Sequence, residues 1–374
     1  MPIQNNIRIL TNCRSCDSNS LSLTLTRKKF PLYIWPLPKS ESTRLEDINL
    51  YICNACGYMQ LQNMNSKTIS EIYREEAFNI ENPKQNEDRL NLISNNNSNT
   101  FFNKKVLEIG GGRNSFITNL SKKTQKWVSD FTVNDSVKSA IDGYYIGDFL
   151  ETEVKEKEFD FIFMFHILEH LNEPGKAINK VRGLLKKTGK FIVEVPNFRS
   201  EIQRLPYYTL FHMHISLFTD LALTSIMARH GFILNAYYKN DDVLLAEFAI
   251  GDKKNTINYK QDSLALIDSL KLNINKINDR LQRLEDGKFA IFGAGGATTL
   301  FLYNYPFLIE RISYAFDNDK CKIGRYICNG RIPIVSPDNF EKKIDYVIVL
   351  EENHIQLMRN NNFKFINLRD FCYE

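Results

Sequence analysis

No stretch of this 374-residue chain approaches the roughly 20 consecutive apolar residues of a membrane span, and its opening MPIQNNIRIL has neither a basic start nor an apolar signal core. A soluble, cytoplasmic protein with no membrane partner is therefore expected. A basic block is missing too. The 48 Lys and Arg stand against 44 Asp and Glu, and the net charge of +4 is dispersed, so nothing offers an electrostatic footprint for nucleic acid. Cysteine, at seven, is odd in number and does not suit a disulfide framework. What is present is ordinary globular composition, 43% hydrophobic and 25% charged, in a length that predicts two to three domains.

Four of those cysteines fall into two C-x-x-C pairs, Cys13 and Cys16 in CRSC, Cys53 and Cys56 in CNACG. Each pair can present two thiolates from one tight turn, and two such turns close a tetrahedral Zn²⁺ site without histidine. Gly57 after the last pair fits a knuckle, although the 36-residue gap is longer than in the commonest zinc ribbons. A redox C-x-x-C or unligated thiols are the alternatives. Cys321, Cys328 and Cys372 are scattered and read as plain core or surface thiols. Around the pairs, residues 1–65 alternate turn residues with short apolar runs such as LYIC and YMQLQ, which predicts a small zinc-stapled β module.

Residues 66–103 read as a helical linker closing in the loop SNNNSN. From Lys104 the runs KKVLEIG, KWVSDF, GYYIGDF, FDFIFMFHIL and GKFIVEVPN alternate with amphipathic segments, a doubly wound α/β pattern over 104–255. In 256–287 a linking helix is expected over 262–287, with Ile267, Leu270, Ile274, Ile277, Leu281 and Leu284 spaced by three and four and Gly287 as its stop. It covers under four heptads, which favours a docked helix over a dimerising coiled coil. Residues 288–374 open on a glycine turn, KFAIFGAGGATTLFL, followed by ISYAFDND with Asp317 and Asp319. This reads as a second Rossmann-like domain used for substrate binding, the sharper alternative being a dinucleotide site with Asp317 on a ribose.

A first glycine turn lies in KKVLEIGGGRNSF, where a short buried strand runs into Gly110, Gly111 and Gly112 and then toward a helix. Such turns aim backbone N–H groups at dinucleotides, mononucleotides or S-adenosylmethionine alike, or merely pack strand on helix. Dinucleotide binders usually show G-x-G-x-x-G with the acid well downstream. Here Glu108 sits inside the motif, which suits a cationic amino-acid ligand.

FDFIFMFHILEHLNEP at 159–174 places an apolar strand before His166, Leu168, Glu169 and His170; together with LEIGGG it resembles class I S-adenosylmethionine-dependent methyltransferases. The resemblance implies that Glu108 faces the donor's ammonium group, that Gly110 and Gly112 line its backbone pocket, and that Asp148 with Phe149 in IGDF meets the adenine, His166 bordering the same pocket. Asp130 is assigned to the ribose hydroxyls, with Asp135 as the alternative. Including GAGGAT, FDNDKCKIGRYI and GRIPIVSPDNF near the end, the whole order is similar to the sugar C-methyltransferases, which act on nucleotide-linked keto-deoxysugars. A nucleotide-linked sugar is the implied small-molecule substrate.

That family's catalytic segment reads roughly Y-H-E-H-x-S-Y-F-S. The counterpart FHMHISLFT keeps His212 and His214 but carries Phe211 for the tyrosine and Met213 for the glutamate. A thioether cannot accept a proton. His214 is the candidate base, and His170 falls where the family has another active-site histidine. Carbon methylation needs an enolate and its stabilisation, so a hydroxyl or amine acceptor is preferred over carbon. A nicotinamide oxidoreductase built on the last domain and a catalytically dead donor-binding protein are the rival readings.

Overall fold

Alternating polar and apolar side chains in LSLTLTRKKFP and LEDINLYIC form two antiparallel strands, β1 (Leu21–Pro31) and β2 (Leu45–Cys53), followed by β3 (Met59–Leu61). The computed structural model describes residues 10–63, 83–95, 97, 99–239, 241–252, 257–340, 343–350 and 364–368; Cys372 and half of the expected linker, 66–82 with 96 and 98, lie outside them. The sheet of β1, β2 and β3 is completed by a strand from far along the chain, β9 (Ser216–Leu217), whose Leu217 pairs with Met59. FHMHISLFT thus leaves the middle of the chain to edge the first sheet.

The second sheet has seven strands in the order β10-β11-β8-β7-β4-β5-β6. Its parallel part comprises β4 (Lys105–Ile109), β5 (Gln125–Asp130), β6 (Gly143–Ile146), β7 (Phe159–Phe165) and β8 (Leu185–Pro196); β10 (Phe232–Lys239) and β11 (Val243–Ile250) close one edge antiparallel. VLEI, FIFMF and FIVEV are near-continuous apolar runs because both faces of these strands are covered. From β4 the chain first builds toward β6 and then crosses to β7, so a switch point opens at the carboxyl ends of β4 and β7. Helices α1 (Pro83–Ser94), α2 (Asp135–Lys138), α3 (Pro174–Leu184), α4 (Phe198–Arg204) and α5 (Asp220–Arg229) accompany this sheet.

The long helix α6 runs Lys260–Gln282, not to 287. Arg283 leaves helical geometry at φ −89° and ψ 0°, and the Leu284 N–H turns back to the Leu281 carbonyl, so the helix unwinds before Gly287 is reached. Ile267, Leu270, Ile274, Ile277 and Leu281 are buried in one core with residues of β2 and α4, as a docked helix requires. The third sheet, in the order β14-β15-β13-β12-β16-β17, contains β12 (Phe289–Phe292), β13 (Ile312–Phe316), β14 (Tyr326–Ile327), β15 (Ile332–Val335), β16 (Tyr346–Val349) and β17 (Lys364–Asn367), with α7 (Gly296–Asn304) following β12. The molecule is thus mixed α/β with two Rossmann-like sheets. Among the described residues no helix is long and apolar enough to cross a membrane.

Candidate functional site

The glycine turn after β4 needs its glycines. Gly110 adopts φ +88°, and a Cβ at Gly112 would fall 1.7 Å from the Thr132 carbonyl oxygen. Glu108 lies beneath the turn, 4% exposed; Ser115 Oγ donates to it at 2.5 Å and the Phe116 and Ile117 N–H groups at 3.2 Å each. Burial pushes its pKa up, opposed by those donors. The carboxylate the resemblance sets against a ligand's ammonium group is therefore turned inward. Where a helix is expected, the chain makes a single 3-10 turn, Phe116–Asn119, whose first two amides Glu108 accepts.

Asp130, at the carboxyl end of β5, accepts the Gly112 N–H at 2.8 Å, and burial raises its pKa. Its alternative, Asp135, is 98% exposed and paired with Lys138 on α2, so the strand-end position beside the glycines belongs to Asp130. The Gly147 N–H donates to the Asp130 carbonyl at 2.9 Å, which sets Asp148 along the same edge. Asp148 is exposed and caps the Leu150 N–H, while Phe149 is buried with the Lys180 ammonium 4.8 Å from its ring.

Across the switch point, β7 ends in His166, held at φ +53° with its N–H donated to the Glu194 carbonyl at 2.8 Å. Its ring meets two buried carboxylates, Glu194 through Nε2 at 2.8 Å and Glu169 through Nδ1 at 3.3 Å. Burial works to lower its pKa, but the two carboxylates prevail and hold the imidazolium up to about 9. Arg89 of α1 grips Glu194 with Nη2 at 2.5 Å and Nε at 3.1 Å, and its guanidinium covers the Phe165 ring at 4.7 Å. Against the cost of burial, His166 and Arg89 hold Glu194 down to about 2. Two cations balance two carboxylates, the condition under which buried charge is tolerated.

Glu169, 1% exposed, sends Oε1 to 3.8 Å from His170 Nε2, while its Oε2 finds no hydrogen-bond partner. The His170 Nδ1–H donates to the Met213 carbonyl at 2.8 Å, which turns Nε2 toward Glu169. His214 stands with its ring 4.9 Å from His170 and 4.2 Å from Phe211, and burial drives its pKa down to about 3. His212 serves packing: it is 4% exposed and its Nε2 donates to the Phe30 carbonyl of β1 at 3.3 Å. The Met213 side chain is buried in the apolar core with Phe211. Glu169, His170 and His214 bring possible ligand atoms within 4.8 Å of one another, yet Glu169 is already balanced by His166, and the cluster has no surplus negative charge to draw a cation.

Sequence reasoning overlooked Arg89, Glu194 and Glu201. Glu194 had left a signal, a lone acid inside the apolar run FIVEVP; Arg89 and Glu201 sit in polar helices and left none. Half-buried on α4, Glu201 is pushed up to about 8 by burial and by Glu169, with His166 opposing.

Residues 73–236 match the model of a family described as methyltransferase domain, and residues 254–368 that of the C-methyltransferase C-terminal domain. The chain thus carries a methyltransferase domain followed by a C-methyltransferase C-terminal domain. The two matches together support a C-methyltransferase family for this methyltransferase. An uncharacterised protein of Methanocaldococcus jannaschii is 32% identical over 123 residues, 31% of this chain, and the methyltransferase spans only 54% of that relative's length. Among solved structures, the PH0226 protein of Pyrococcus horikoshii superposes with a TM-score of 0.39 at 14% identity, over 50% of this chain and all 100% of its own. An S-adenosylmethionine-dependent methyltransferase of Clostridium acetobutylicum superposes with a TM-score of 0.36 at 12% identity, over 50% of this chain and 98% of its own. At such scores neither likeness bears on the chemistry.

Two further places bring side chains of possible ligand chemistry together. Cys13, Cys16, Cys53 and Cys56 converge, with Sγ–Sγ distances of 3.7 Å for Cys13–Cys56 and 3.6 Å for Cys16–Cys53. Gly57, at φ +95°, lets this cluster abut the start of α6, where the Tyr259 N–H donates to the Cys56 carbonyl. After β12, Gly293, Gly295, Thr298, Asp317, Asn318 and Lys322 line a cavity of about 280 Å³. There Asp317 accepts the Ala294 N–H and the Lys322 ammonium, both at 2.9 Å, which hold its pKa down against burial.

Proposed function

We propose that this methyltransferase moves the methyl group of S-adenosylmethionine to a sugar, carried as a nucleotide conjugate. The observation that carries the reading is the crevice at the carboxyl ends of β4 and β7, with a glycine turn and Asp130 on one side and His170 and His214 on the other. Gly110 and Gly112 admit the donor's amino-acid end, Asp130 takes the ribose hydroxyls, and Asp148 with Phe149 takes the adenine. His166 borders the donor. Glu108 shapes this pocket from below. His214, neutral at working pH, accepts a hydrogen bond from the acceptor, and His170 backs it. The cavity beside α7 suits the nucleotide part of the substrate, because helix N-terminal amides and Lys322 both favour phosphate.

Methyl transfer is an in-line displacement in which the protein mostly positions the reactants, so a hydroxyl or amine acceptor fits a site that lacks the carboxylate at 213. Carbon is the second reading, favoured by the match to a C-methyltransferase C-terminal domain. Mass spectrometry of reactions with labelled donor and a panel of nucleotide sugars tests both: labelled product from a keto sugar with loss of a carbon-bound proton supports carbon. Labelled product from no sugar conjugate rejects the sugar reading.

The four thiolates suit structural Zn²⁺. A tetrahedron with Zn–S near 2.3 Å has S–S edges of about 3.8 Å, close to the spacing found here. Bound there, zinc would tie the first sheet to the start of α6. Purified protein is expected to carry about one zinc per chain. Cys13→Ser should lose it and lower the melting temperature. Folded, active protein without zinc would refute the assignment.

A further inference from the structure

The segment FHMHISLFT carries His214 on a short turn whose carbonyls are pinned by groups from elsewhere in the chain. The His214 N–H goes back to the Phe211 carbonyl at 3.2 Å, and the Met213 carbonyl takes the His170 Nδ1–H at 2.8 Å. Two groups donate to the Ile215 carbonyl, the Leu61 N–H at 2.9 Å and Arg14 Nη1 at 3.0 Å. Arg14 comes from near the start of the chain, inside the first C-x-x-C pair. Its Nη1 also donates to the Leu61 carbonyl at 2.9 Å and its Nη2 to Asn63 Oδ1 at 2.7 Å, while its backbone N–H goes to Gln60 Oε1 at 3.0 Å. One guanidinium thus bridges β3 and the stretch between His214 and β9.

Arg14 is fixed from its other side by its neighbours. Cys13 and Cys16 flank it and belong to the four-thiol cluster, and the Ser15 N–H lies 3.4 Å from Cys13 Sγ, a donor of the kind that supports a metal-bound thiolate. Every acceptor of the Arg14 side chain is neutral, and it makes no ion pair among the described residues. A guanidinium whose Nε is closed off from solvent is costly unless negative charge lies close by. Four thiolates sharing one Zn²⁺ keep a net negative charge beside it, so the metal site and the cation stabilise each other.

Building on the methyl-transfer reading above, we propose that Arg14 is a positioning residue of the acceptor side: anchored in the four-cysteine knuckle, it holds the Ile215 carbonyl and thereby sets His214 against His170. The knuckle then serves the active site as well as the first sheet. Without Arg14 the Ile215 carbonyl keeps only the Leu61 N–H, and β9, at two residues, is shorter than a strand that could fix the turn before it.

Hydrogen exchange read by mass spectrometry tests the clamp without any acceptor. Arg14→Met should speed exchange in 211–217 by about tenfold or more and leave β1 and β2 within about twofold of wild type. Arg14→Lys keeps the charge but can reach only one carbonyl, so its acceleration should be smaller. In zinc-loaded protein, release of the metal to a chromogenic chelator should be about 10–100-fold faster in Arg14→Met and near wild type in Arg14→Lys. Once an acceptor is in hand, Arg14→Met should lower kcat by about 10–10²-fold with donor affinity within about twofold, and Arg14→Lys should recover part of the loss. Failure of every sugar conjugate would sink the substrate reading while the exchange measurement still decides this one. Wild-type exchange in 211–217, equal acceleration across β1 and β2, or unchanged zinc release in Arg14→Met overturns the proposal.

Discussion

At the end of β4, Gly110 adopts φ +88° and the Gly112 N–H goes to Asp130; at the end of β12, Gly293 adopts φ +89° and the Ala294 N–H goes to Asp317. The backbone device is the same. What differs is the residue two before the first glycine, Glu108 in one turn and Ile291 in the other. Glu108 takes the Phe116 and Ile117 amides, and the chain makes only a 3-10 turn; above fully buried Ile291 nothing competes, and the chain enters nine-residue α7 with its first amides beside a cavity. One buried side chain thus decides whether a glycine turn consumes its amides or offers them to a ligand.

The sharpest way to break this comparison is to exchange the deciding residue. Glu108→Ile strands a hydroxyl and two amides and should cost roughly 3–5 kcal/mol in denaturant unfolding, along with donor binding. Ile291→Val should cost only about 0.5–1.5 kcal/mol. Equal losses would show that the two turns are supported alike.

Next in size are the glycines. Gly112→Ala meets the Thr132 carbonyl and Asp130 and should weaken donor binding in calorimetry by about 1–3 kcal/mol. Gly295→Ala meets open space and should stay within about 0.5 kcal/mol of wild type.

The smallest effect is a contrast in pH dependence. Asp130 has its pKa raised on folding, so its contribution to stability is fully present below the unfolded value near 4 and is lost as pH rises through the folded one. Asp317 is depressed, so its contribution is present above the unfolded value and lost as pH falls through the folded one. Melting temperatures between pH 3 and 7 should therefore show Asp130→Asn gaining on wild type as pH rises and Asp317→Asn losing. The same slope in both would remove the electrostatic distinction between the turns.

The parallel strands β4 to β8 were legible because burial on both faces leaves runs of apolar residues that no other element explains. The C-x-x-C pairs were legible because close spacing in sequence already places two thiols together. Less visible were the partners of His166: Arg89, Glu169 and Glu194 come from three elements, and their meeting depends on strand order. The motif showed that Met213 could not accept a proton.

The sequence by itself determined the doubly wound α/β character, the methyltransferase motif pairing and the four-thiol cluster, each a property of local periodicity or short spacing. Tertiary structure alone decided that Glu108 braces its turn, that FHMHISLFT joins the first sheet, and that two cations and two carboxylates neutralise one another beside His170. Burial and charge pairing depend on distances between residues as far apart as Arg89 and Glu194, and those distances exist only once the strands are ordered.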